Sequence, residues 1–161
     1  MRNNVLIVLG FMAEWFLFTF SLYQAVVEIG EQEVILGQIK STSKEYREVP
    51  AFYWLVPPFK VWLEKKRVER ILHDITVNTE DFDQIFSLSN RAIAWTYIAV
   101  AEILIGVIST NEILELFNIE VSNMTFVGIN IFIIVISVMI VVYRTSDYVK
   151  NRVYRRYSEG K

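Results

Sequence analysis

The chain has 161 residues, 53% hydrophobic and 14% aromatic, with a net charge of -2 and no cysteine. That length suits one compact unit and excludes two ordinary domains. Without cysteine there are no disulfides, thiolate metal sites or thiol catalysis, and so small a net charge gives no reason to expect a nucleic-acid partner.

The first apolar run covers residues 5–27 and is interrupted only by Glu14 and small polar groups. Arg2 is the only basic side chain before it, and no A-x-A-like cleavage site follows. The run therefore reads as a retained membrane span and not as a signal peptide. Residues 28–49 are polar, and Gly30 and Gly37 weaken any helix there.

Residues 49–63 read VPAFYWLVPPFKVWL, with Lys60 as the only charge. A helix of that length reaches only about 22 Å, and the Pro57-Pro58 pair removes backbone donors near its middle. The Pro pair suits the first turn of a helix running on to about Leu72. On this reading 49–72 lies on the membrane surface. Trp54 and Trp62 join an aromatic belt, and Lys65, Lys66 and Arg67 face anionic lipid.

Thr79 suits a helix N-cap, with Glu80, Asp81 and Asp83 in the favourable first turn. That helix is expected to run unbroken into a second span at about 90–109, which contains Glu102. A third span covers 126–143 and is dense in Ile and Val. Each run is long enough to cross about 30 Å of hydrocarbon. The expected fold is an all-α integral membrane protein with three transmembrane helices. An alternative makes 49–63 a fourth, short and Pro-broken crossing.

Basic residues set the orientation. Residues 111–125 contain no Lys or Arg, whereas 144–161 hold six and the segment before span two holds Lys65, Lys66, Arg67, Arg70 and Arg91. The 111–125 loop is therefore expected outside. Residues 28–89 are expected to be mainly cytoplasmic, and 144–161 a basic cytoplasmic tail. In the three-span reading the N-terminus is outside.

Glu14 and Glu102 carry most of the functional information. Each sits near the middle of a span, where an exposed charge costs several kcal/mol. Gly10 and Ala13 share a helical face with Glu14, and Ala99 and Gly106 share one with Glu102. Small residues at such spacings admit a neighbouring helix closely, so both glutamates are expected to face protein. Asn130 and Ser137 share a face of the third span, so a polar seam of these four residues is expected to be geometrically possible.

Such a seam serves either as polar glue between helices or as a proton or cation pathway. His73-Asp74 has no companion ligands by spacing, and residues 123–125 match a glycosylation sequon beside the membrane. No Gly-rich phosphate loop, HExxH or Ser-His arrangement points to an enzyme, a cofactor or a metal. The expected partners are the lipid bilayer and another membrane protein or a second copy. The expected role is that of an accessory subunit, regulator or immunity-type protein acting by helix association. An oligomeric proton- or cation-translocating component is the alternative.

Overall fold

A computed structural model describes residues 2–39, 49–50, 53, 56–74 and 79–146, with backbone alone at 37–39 and 74. Within them lie four helices: α1 (Arg2–Ile39), α2 (Pro57–Asp74), α3 (Thr79–Leu116) and α4 (Asn123–Thr145). Among the described residues there is no strand. α1 over Arg2–Leu36, α3 and α4 are long and apolar enough to cross a membrane. The protein is therefore an all-α membrane protein with three spanning helices.

Among the described residues, those of the 49–63 segment add no fourth helix of this kind. The Tyr53 amide donates to the Pro50 carbonyl and the Val56 amide to that of Tyr53, and α2 begins at Pro57. Proline fits the first helical position because the amide it lacks would have no intrahelical acceptor there. α2 then becomes amphipathic. Pro57, Val61, Val68 and Ile71 are buried, while Trp62, Lys65, Lys66 and Glu69 are exposed.

α1 continues twelve residues past the expected end of the first span, through Gly30 and Gly37. Each glycine costs about 1 kcal/mol of helix propensity, and tertiary contacts offset it. Ile29 and Leu36 are buried, and Gln32 of α1 donates to Ser89 Oγ at 2.6 Å and to the Ile85 carbonyl at 3.3 Å.

α1 and α3 run antiparallel in one register along their length. Trp15 packs on Gly106, Phe20 meets Trp95 edge-on at 5.8 Å between ring centroids, and Glu28 pairs with Arg91 at 2.8 Å. Both helices have 38 residues, about 57 Å at 1.5 Å per residue. That exceeds the hydrocarbon thickness by about 27 Å, so the pair projects beyond the bilayer with α2 packed on its projecting end.

Two apolar clusters follow from this arrangement. The larger joins Trp15, Phe18, Leu22 and Ala25 to Ala92, Ala99, Val138 and Val141. The smaller ties Leu36 to Val68, Ile71 and Ile85 in the projecting part.

The α3–α4 turn places Asn118 at φ 52°, a left-handed conformation that asparagine tolerates. α4 starts with Ser122 as N-cap, its hydroxyl accepting from the Thr125 amide at 3.2 Å. The 123–125 sequon thus forms the first turn of a helix.

Candidate functional site: an intramembrane carboxyl pair

Register decides which polar side chains meet inside the spans. With Trp15 seated on Gly106, Glu14 and Glu102 come close to one another across the α1–α3 interface. Both residues are only partly covered by the rest of the chain. Glu102 Oε2 is buried and has no hydrogen-bond partner among the described residues. No group of three His, Cys, Asp or Glu side chains is placed to hold a metal among those residues. The chemistry available to the pair is therefore to hold and exchange a proton, to accept a cation, or to accept hydrogen bonds from another helix.

The expected four-residue seam is only half assembled. Asn130 and Ser137 are buried on α4, but neither hydrogen-bonds to Glu14 or Glu102. Asn130 Nδ2 donates to the Phe126 carbonyl of its own helix at 2.9 Å, leaving Oδ1 buried and without a partner. The in-helix bond holds the amide on α4, whereas the glutamates come from the α1–α3 pair.

The α1 packing face also differs from the one expected. Ala13 is exposed, and nothing lies within 4 Å of a methyl group added at Gly10. Within the chain, α1 packs through Trp15, Phe18, Ser21, Leu22 and Ala25. On α3, Ala99 and Gly106 are buried, and a methyl group at Gly106 would sit 3.1 Å from the Trp15 ring. The physical reason is asymmetry. A large knob on one helix needs a small residue only on the other. Within the chain, therefore, the small residues of α1 do not mark the face that meets α3.

The basic surface needs a second correction. Lys65 and Lys66 are exposed, and Lys66 sits 3.8 Å over the exposed Trp62 ring, as suits a membrane-surface segment. Arg67 instead turns inward and forms ion pairs with Glu33 of α1 and, at 3.2 Å, with Glu64. Glu64 also pairs with Lys60 at 2.5 Å, and the Lys60 ammonium donates to the Val49 carbonyl. The chain Lys60–Glu64–Arg67–Glu33 thus ties α2 to the projecting end of α1.

Burial disfavours the Arg67 charge, but the hydrogen bonds and charges of Glu33 and Glu64 outweigh it and hold the guanidinium above its ordinary pKa. Part of this network was visible in sequence. Lys60, Glu64 and Arg67 stand at helical spacing beside the buried Val61, Val68 and Ile71. Glu33 lies 34 residues from Arg67, and no local pattern points to it. Trp54 and residues 147–161 of the basic tail lie outside the described residues. The chain matches no protein-family model, no curated protein and no solved structure.

Proposed function

We propose that the protein acts by helix association within the membrane, as an accessory subunit, regulator or immunity-type protein whose partner packs against the surface around Glu14. One observation carries this reading: the Glu14–Glu102 pair is only partly covered by its own chain, beside open space at Gly10 and an exposed Ala13. Carboxyl groups left against hydrocarbon are costly. A second helix seated on the small residues would cover them and supply hydrogen-bond partners.

The orientation belongs to the same proposal. With the N-terminus and the 111–125 loop outside, only Arg2 of the 16 Lys and Arg residues lies on the outer side. The projecting end, α2 and the C-terminus are then cytoplasmic, which suits a plasma membrane with its excess of cationic residues inside.

A second reading is supported by the carboxyl pair itself: a proton- or cation-translocating component. Three helices do not enclose a pathway, so this reading also requires further chains.

Copurification and flux together test both. In the association reading, Ala13→Leu and Gly10→Leu fill the open face and abolish copurification of a second membrane protein, while leaving the chain folded. Unchanged copurification in both variants would overturn that reading. In the translocation reading, the parent in liposomes carries a proton or cation flux that Glu14→Gln and Glu102→Gln each remove without loss of assembly.

A further inference from the structure

α1 and α4 both run antiparallel to α3, so their C-terminal ends point the same way. Between them lies a groove of about 310 Å³, lined by Phe16, Thr19, Phe20 and Tyr23 of α1 and by Ile140, Val141 and Arg144 of α4. Its composition is graded along the membrane normal. Phe16, the residue furthest from Arg144 along the helices, belongs to the interior of span one, and Arg144 stands in the last turn of α4, where span three ends.

Arg144 is exposed and has no carboxylate partner among the described residues. Tyr23 brings a phenol to the same end. A cation at the water boundary that opens onto an apolar slot descending into the membrane matches one ligand chemistry, an anionic headgroup carrying an acyl chain. Basic sites between transmembrane helices on the cytoplasmic side recognise such lipids. A second groove, of about 260 Å³ between α2 and α3, is less suited, because its cation Lys65 already stands 4.0 Å from Glu69.

We propose that the groove between α1 and α4 binds an anionic phospholipid, its phosphate on Arg144 and one acyl chain along Phe20, Phe16 and Ile140. A phosphate oxygen accepts hydrogen bonds from the planar guanidinium two at a time, and the chain replaces apolar contacts that α1 and α4 do not make with each other there.

The test uses the full-length protein reconstituted with spin-labelled phosphatidylglycerol or spin-labelled phosphatidylcholine, reading the motionally restricted lipid by electron paramagnetic resonance. The parent is expected to prefer phosphatidylglycerol by about threefold or more. Arg144→Gln should abolish that preference, and Arg144→Lys should retain part of it. Ile140→Trp fills the slot without altering charge and should lower the restricted phosphatidylglycerol as well. Ile140 is half exposed, so the larger side chain is tolerated. Circular dichroism checks the helix content of each variant.

Three results would overturn the proposal. One is a parent without preference. Another is a full preference in Arg144→Gln, which would assign it to the other basic residues of the tail. The third is displacement of labelled lipid by inorganic phosphate together with no effect of Ile140→Trp, which would leave a simple anion contact.

Discussion

The intramembrane and projecting halves of the α1–α3 pair are held by different forces. Inside the span, Trp15 fits against Gly106, and the Thr19, Thr96 and Thr110 hydroxyls bond to carbonyls of their own helices and not across the interface. In the projecting half, Gln32 bridges to Ser89, Glu28 pairs with Arg91, and Arg67 joins Glu33 to Glu64. The difference follows from the surroundings. Hydrocarbon gives no hydrophobic reward for pairing apolar helices, so shape selects the register. Outside it, the same helices gain from apolar burial as well as directional ion pairs. The membrane half therefore sets where the helices meet, and the projecting half fixes them there and recruits α2.

The largest expected effect tests the projecting half. Arg67→Met leaves the buried Glu64 with only Lys60 and removes the link to Glu33. Losing one partner of a buried ion pair costs about 3–5 kcal/mol. α2 should then become accessible to protease while the spans stay intact. Equal protection of α2 in parent and variant would show that apolar contacts alone hold it. Because the Arg67 pKa is raised, its charge contribution is complete below the unfolded value and is lost only as pH rises through the folded one. Protection of α2 should show no loss from this group between about pH 6 and 10, well below the ordinary arginine value.

Gly106→Leu comes next and probes the membrane half. Its new side chain meets the Trp15 ring, where even a methyl group would be 3.1 Å away. Overpacking costs about 1–3 kcal/mol, read as a lowered unfolding temperature in detergent. Trp15→Ala in the same chain should recover part of that loss by vacating the space. No recovery would separate the two residues and break the assigned register. Gly106→Leu thus disturbs the chain itself, which is why the open face at Gly10 and Ala13 is the cleaner probe of a partner.

Gln32→Leu removes one buried bridge between α1 and α3 and should cost about 1 kcal/mol. The smallest effect belongs to Glu28→Gln, whose partner Arg91 is exposed. About 0.2–1 kcal/mol is expected, and the difference should vanish at high salt. A loss that persists in salt would mark this pair as more deeply desolvated than its exposure indicates.

The spans were legible because a bilayer demands long unbroken apolar runs, and few other structures do. The start of α2 was legible because a proline pair is compatible with very few backbone positions. The start of α3 was legible to within a residue for a similar local reason: Glu80 and Asp81 favour a helix N-terminus, and Thr79, expected as the cap, is the first helical residue. The expectation for Arg67 failed because Lys65-Lys66-Arg67 reads as a uniform basic run, while one residue per helical turn can face inward. Within the chain, Gly10 and Ala13 take no part in the α1–α3 contact, because that contact is a Trp15 knob against Gly106 and not two matched small surfaces.

The sequence by itself determined an all-α membrane protein, the location of its three spans and the presence of carboxyl groups deep within two of them. These features are local: each depends on the composition or capping of one continuous segment. Only the tertiary structure decided that Glu14 comes close to Glu102, that Asn130 bonds within its own helix and not to them, and that α1 runs on to Ile39. Each of these depends on the register between helices distant in sequence. That register comes from the fit of side chains across an interface, which no single segment contains.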